Sequence, residues 1–344
     1  MKEKLIPIIK YLFFLLLGIG LLFLAFKNIA LDQVWEELKH ANYSWLIWSM
    51  VLALISHYFR ALRWNQLINQ MKYKTSTTTT FYAVMIGYLA NLALPRMGEV
   101  TRCVVLSKKE KIPFNSLFGT VIAERVFDMV VLLIIILIVL FTQIKEIGGF
   151  LNRILIEPLM GSYTGNFWAI LIVLASFVLL IIIGIAIFRR LKPWLKTTVI
   201  YEKAAAFLDG FIGGLKSIAQ MKERALFLFY TLMIWVMYLS MIILPFYSFE
   251  ETSVLDIIDG MTVLAIGSLG IVAPTPGGIG SYHFIITELF TQLYHIPAQA
   301  AAAYATANHA AQTLLILLAG GVSYILLLLN KRKPLNEIIE EDKE

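Results

Sequence analysis

The sequence predicts an all-α polytopic membrane protein, with six spanning helices plus two re-entrant helical hairpins in an inverted repeat. Three observations predict it. Of 344 residues, 59% are hydrophobic and only 15% are charged, where soluble domains carry about a quarter. Apolar runs long enough to cross a hydrocarbon core about 30 Å thick recur along the whole chain. Two shorter apolar segments, each closed by a proline, stand at matching places in two halves. This composition excludes a disordered chain and argues against a soluble globular enzyme. Backbone polar groups in lipid must be satisfied within the protein, and long apolar runs do so as helices rather than as a barrel.

The elements follow in order. The first half, 1–144, opens with Lys2, Lys4 and Lys10 and a span over 8–27. No clear small-residue cleavage site follows, so it reads as a retained helix and not a removed signal peptide. The second span is 43–62; His57 and Arg60 within it read as structural, Arg60 as an interfacial anchor. The first re-entrant segment is 81–107. Its apolar arm is too short to cross and stops at Pro95, since the residue before proline is pushed out of the helical region. The third span is 115–143, and an external linker covers 145–166.

The second half, 167–330, repeats the order: spans 167–188 and 225–248, a re-entrant segment over 260–295 whose apolar arm stops at Pro274, and a span over 300–329. Residues 190–224 form a basic segment that reads equally as an amphipathic helix on anionic headgroups or as a solvated loop. A charged tail, 331–344, closes the chain. With six crossings, 23 of the 29 Lys and Arg lie on the side of the N-terminus and four lie opposite, which predicts that both termini are cytoplasmic in a cell (inner) membrane. The net charge of +6 is thereby explained by topology rather than by nucleic acid. Cys103 is the sole cysteine, so no intramolecular disulfide or cysteine metal cluster is expected.

One half starts inside and the other outside, so the repeat is inverted. The re-entrant segments share a faint echo: Gly87-x-Leu-Ala-x-x-Ala, then Pro95 and Gly98, against Gly267-x-Leu-Gly-x-x-Ala, then Pro274 and Gly277-Gly278. Interrupted helices in corresponding positions of two halves point to a binding site, and irregular backbone at membrane depth must face protein or water. The two tips are therefore expected to meet around a polar cavity.

Four groups of residues carry candidate chemistry. In Pro95-Arg96-Met97-Gly98-Glu99-Val100-Thr101-Arg102, residues Arg96, Glu99 and Arg102 recur every three positions and share a helical face. Guanidinium binds phosphate in a bidentate manner and keeps its charge, so this is a candidate anion site; the plain alternative is flanking positive charge with Arg96 snorkelling. Glu124, Arg125 and Asp128 lie in the third span, Glu124 eleven residues past Pro113 and so about 16 Å deep. An isolated charge at that depth costs on the order of 3 kcal/mol, so these three must pair with one another or with the first group, as a gate or as a purely structural network.

The third group is the turn with Thr275, Gly277, Gly278, Gly280 and Ser281, whose irregular backbone can present N–H groups to an anion; His283 and Glu288 sit on the returning helix. Asn308 and Gln312 stack one turn apart in the last span, where polar side chains also serve simply to join helices.

The ordered motifs Pro95–Arg102, Glu124–Asp128 and Pro274–Gly280 resemble the flippase-like membrane domain of the lysylphosphatidylglycerol synthase transmembrane region family, over nearly the whole chain. Larger members of that family join this domain to a soluble aminoacyl-transferase domain. This chain, which stops at Glu344, is expected to lack one. The resemblance implies lipid translocation or lipid binding, and a possible homodimer. Many members carry an acid shortly after the glycine motif, where this chain has His283.

The expected function is translocation or binding of an anionic phospholipid or lipid-linked precursor through a charged midplane cavity, with membrane lipids as partners, no nucleic acid and no cofactor. No nucleotide-binding G-x-x-x-x-G-K-[ST] motif is present. Two alternatives stand beside it: an intramembrane enzyme acting on a lipid phosphate or lipid-linked sugar, and a non-transporting envelope scaffold.

Overall fold

A computed structural model describes residues 2–143, 221–272 and 275–330, together with Leu335. The expected span 167–188, the linker 145–166, residues 190–220 of the basic segment and nearly all of the tail lie outside the described residues. All regular elements among the described residues are helical.

Helix α1, Lys2–Phe26, turns by 85° into α2, Leu31–His40. The turn has a simple cause. Asp32, Glu36, Glu37 and Lys39 make the next segment too polar for hydrocarbon, so α2 departs sideways, burying only Val34. Helix α3 spans Tyr43–Gln70 and is capped by Asn42, whose side chain accepts from Ser44 N–H. It runs two turns past the expected end at 62.

Helices α4, Thr77–Ala93, and α5, Gly98–Glu110, pack on each other across the Pro95 turn. Helix α6, Phe114–Thr142, follows, then α7, Arg224–Phe246. The second helix pair is α8, Ile257–Val272, and α9, Ser281–Leu293, joined through a short turn at Pro276–Gly278. The last helix is α10, Ala298–Leu329.

Helices α3, α6, α7 and α10 are long and apolar enough to cross a membrane, and the bent α1–α2 pair makes a fifth candidate. Their surfaces reverse the soluble pattern. Leu133, Leu137 and Phe141 of α6 and Leu317, Leu328 and Leu329 of α10 are exposed, while Ser49, Ser56, Arg60, Arg63 and Glu124 are buried. Lipid tails give such helices no hydrophobic drive to associate, so close packing must hold them. Ala300, Ala301, Ala302, Ala303 and Ala305 of α10 are fully buried and let neighbouring backbones approach. Tyr304 among them donates to the carbonyl of Ile242 on α7 at 2.8 Å.

Two large apolar cores and a small third one, Leu67, Met221 and Phe227, form among the described residues. Trp64, Ala83, Cys103, Leu106 and Leu117 join α3, α4, α5 and α6; Phe246, Val263, Phe290 and the alanines of α10 join α7, α8, α9 and α10. Helix α3 lies along α7 and α4 along α10, so the halves interlock.

Candidate functional site

The interior between α3, α5 and α6 is ionic. Glu124 is fully buried on α6. Its Oε1 receives Arg60 Nη1 at 2.7 Å, Arg63 Nη2 at 3.3 Å and Arg125 Nη2 at 3.4 Å, while its Oε2 faces Arg102 Nη1 at 3.3 Å. Asp128, one turn on, takes Arg63 Nη1 at 2.8 Å, Arg60 Nη2 at 3.5 Å and Arg125 Nη1 at 3.8 Å. Glu99 of α5 reaches Arg125 Nε at 3.7 Å. The local sequence explains the arrangement. The i,i+4 spacing of Glu124 and Asp128 makes one acidic stripe on α6, and the i,i+3 spacing of Arg60 and Arg63 makes the basic stripe of α3 that meets it.

Four guanidinium groups thus face three carboxylates, a formal surplus of one positive charge in this network. A net charge in a low-dielectric interior is costly, and an anion would neutralise it.

Arg102 is the buried guanidinium of this network beside a cleft. Its guanidinium lies over the Trp64 ring, 4.6 Å from the centroid, and Trp64 Nε1 in turn donates to Thr120 Oγ1 at 2.8 Å. Arg102 is 4% exposed, yet its Nε and Nη2 have no hydrogen-bond partner. Those two atoms form the fork that binds phosphate or carboxylate side-on.

Beside it opens a narrow cleft lined by Val84, Gly87, Tyr88, Asn91, Gly98, Glu99, Arg102 and Arg125. The N-terminus of α5 lies in its wall and adds the positive end of a helix dipole. No side chain of α5 caps that end; Asn91 of α4 accepts from Gly98 N–H at 2.6 Å instead. A Cβ on Gly98 would stand 2.5 Å from the carbonyl oxygen of Gly87, so glycine is what lets the two helices close around the cleft.

The turn between α8 and α9 is a separate centre. Gly277, Gly278 and Gly280 all have positive φ, which only glycine adopts freely. Two of the N–H groups expected to cradle an anion are used within the turn. Gly278 N–H donates to Thr275 O at 3.2 Å and Ile279 N–H to Pro276 O at 3.1 Å. Thr275 and Ser281 share a hydrogen bond at 2.8 Å across the turn. His309 Nε2 meets the carbonyl of Gly277 at 2.9 Å, and His283 packs beside His309. A Cβ on Gly277 would lie 3.7 Å from Leu92 Cα, so the glycine turn touches the tip of the first helix pair.

The sequence-derived candidates therefore divide. Glu99, Arg102, Glu124, Arg125 and Asp128 come together in the ionic network. Arg96 is exposed on the α4–α5 turn at φ 64° and does not line the cleft. Thr275, Gly277, Gly278, Gly280, Ser281 and His283 gather at the glycine turn. Glu288 is half-buried on α9 and takes no part in the ionic network. Asn308 Nδ2 donates to Tyr282 Oη at 2.8 Å and Gln312 Nε2 to Ser49 Oγ at 2.9 Å, both joining helices.

Sequence reasoning missed Arg63 and placed Arg60 at the membrane interface. Both are buried, because α3 continues past them to Gln70. The signal was present: Arg60 and Arg63 stand three apart, ready to oppose carboxylates four apart on another helix.

The comparisons agree with this membrane architecture. The UPF0104 membrane protein MJ1595 of Methanocaldococcus jannaschii is 30% identical over 142 residues, 40% of each chain. Glycosyltransferase AglD of Haloferax volcanii is 23% identical over 93% of this chain and 54% of its own length. The chain thus aligns with about half or less of each curated relative. No solved structure matches. The model of the lysylphosphatidylglycerol synthase TM region matches residues 8–320. With a match of that extent over an interior built from buried arginines and carboxylates, the chain belongs to the lysylphosphatidylglycerol synthase TM region family.

Proposed function

We propose that the protein carries the headgroup of an anionic phospholipid or phosphate-linked lipid precursor between the leaflets of the cell membrane, with both termini cytoplasmic. The observation that carries this reading is the buried, unpaired Nε–Nη2 fork of Arg102, a residue that lines the cleft. A phospholipid leaves its tails in the bilayer and needs a polar route only for its head. Arg102 and Arg125 receive the phosphate, and the surplus charge of the network is neutralised when it arrives. Glu99, at the rim, keeps the site from holding an anion too tightly to release it.

The test is movement of acyl-labelled phosphatidylglycerol in proteoliposomes. Arg102→Gln removes the fork and leaves three guanidiniums facing three carboxylates, so the interior stays balanced. Loss of charge-assisted hydrogen bonds worth about 1.5–3 kcal/mol predicts a fall of about tenfold to a hundredfold in affinity for the headgroup. Arg102→Lys keeps the charge without the fork and recovers only part of it. Unchanged lipid movement in Arg102→Gln, with the protein folded, refutes the site.

The second reading is suggested by the relative named as a glycosyltransferase, which aligns with 93% of this chain. The same cleft would then bind a lipid phosphate as a substrate to be altered. Chemical conversion of a radiolabelled lipid phosphate by the purified protein separates this from transport.

A further inference from the structure

A second polar group, a buried His283 beside a half-buried His309, lies apart from the arginines. His309 stands eleven residues into α10, about 16 Å from its start. His283 is the third residue of α9, and the two ring centroids are 4.8 Å apart. The carbonyl of Gly277 only accepts, so the 2.9 Å contact requires a proton on His309 Nε2. His283 is 7% exposed, and its Nδ1 has no hydrogen-bond partner.

The surroundings of the pair are short of charge. Helix α1 contributes Phe26, 6.4 Å from His283. Helix α9 contributes Tyr282, 5.6 Å from His309, whose hydroxyl accepts from Asn308 Nδ2 of α10 at 2.8 Å. Gly277 and Gly278 close one side, with Leu92 of α4 behind them. Among the described residues, Tyr282 is the other titratable group whose ring lies against the pair; Glu288, five positions beyond His283 on α9, points to a different face. Among the described residues, no carboxylate, lysine or arginine forms an ion pair with either ring.

We propose that His283 and His309 form a proton-binding site, and that its loading is coupled to opening of the contact between the glycine turn and the tip of the first helix pair. The pair takes one proton from water onto a ring nitrogen lone pair and becomes a single imidazolium; a second charge so close is opposed by the first. That imidazolium has no counter-ion among the described residues, and the His283 ring is 7% exposed. It therefore favours an arrangement in which the turn parts from Leu92 and admits water.

The contacts supply a route for the coupling. Gly277 is held by His309 on one side and packs on Leu92 on the other. Asn91, next to Leu92, holds Gly98 N–H at 2.6 Å in the wall of the cleft. A proton on the histidines and an anion in the cleft would then each shift the equilibrium of the other, by the same factor.

The experiment reads thiol labelling of Leu92→Cys in the full-length, liposome-reconstituted protein with Cys103→Ser. A water-soluble maleimide is applied between about pH 8 and pH 5, the window in which imidazole changes charge. Each rate is divided by that of the same cysteine in a His283→Gln/His309→Gln background, which cancels the reagent's own pH dependence. His309→Gln keeps an amide donor for Gly277; if the double variant does not fold, His283→Phe, which keeps a ring beside Phe26, replaces it.

The expected ratio rises at least about fivefold as the pH falls. A ratio that stays constant overturns the proposal. The readout needs no lipid movement. Failure of the anion site shows in Arg102→Gln lipid transport, while failure of the proton site shows in this ratio.

Discussion

At the scale of the residue, Glu124 is the hub, touched by Arg60, Arg63, Arg102 and Arg125. Removing one member of a buried ionic network costs more than the pair itself is worth, because the remaining charge stays buried. Glu124→Gln leaves four guanidiniums facing two carboxylates, a surplus of two. It is expected to destabilise the protein by about 3–5 kcal/mol in denaturant unfolding in micelles. Adding Arg102→Gln returns the surplus to one, so the double variant should recover more than about 0.5 kcal/mol relative to additivity. Strict additivity of the two costs would show that charge balance is not what the network provides. The acidic half of this hub was legible in the sequence, because carboxylates four apart inside an apolar helix admit few explanations. The basic half was not. Arginines at the end of an apolar run ordinarily mark an interface, and only the continuation of α3 through Trp64, Asn65 and Gln66 carries Arg60 and Arg63 into the bundle.

At the scale of the element, the prolines at 95 and 274 marked the ends of two short apolar arms. The first arm ends at Ala93, close to its expected stop before Pro95, since proline acts locally on its predecessor. The glycines were legible as turn formers, yet the tightest demand on one of them is not local. A Cβ on Gly280 would stand 1.9 Å from the carbonyl oxygen of Gly18 on α1, and Gly280 also has φ 81°. Such a contact between segments far apart in the chain leaves no local pattern. Gly280→Ala therefore faces both strain and collision, and α1 must move away from α9. Strain of this kind costs of order 1–3 kcal/mol before the clash is counted. Lower thermal stability and faster proteolysis near α1 are expected, whereas Gly20→Ala, with open space at its Cβ, should leave both unchanged. Equal stability of the two variants would remove α1 from any role in holding the turn.

At the scale of the molecule, the inverted order of segments is read from topology and a weak echo, whose two leading glycines sit in different surroundings. Gly87 lies where α4 crosses α5, its would-be Cβ 2.8 Å from Gly98 O, and Gly267 lies where α8 meets α9, 3.5 Å from Ile286. Close approach therefore requires glycine at 87, whereas at 267 a Cβ would make an ordinary contact. The site itself is not shared equally, since the arginines line the first pair and the histidines the second. An exchange between two exposures would require the tips to separate, and the Leu92–Gly277 contact is where they touch. The Cβ that Gly277 lacks would be 3.7 Å from Leu92 Cα, close enough for cysteines at 92 and 277 to bridge after modest adjustment. In a Cys103→Ser background, oxidation of Leu92→Cys/Gly277→Cys should stop lipid movement in proteoliposomes, and reductant should restore it. Each single-cysteine protein, treated alike, controls for the substitution at a positive-φ glycine. Movement that persists at full rate with the bridge formed would mean that the headgroup passes without parting these tips, and the route would have to run along the α4–α5–α6 cleft alone.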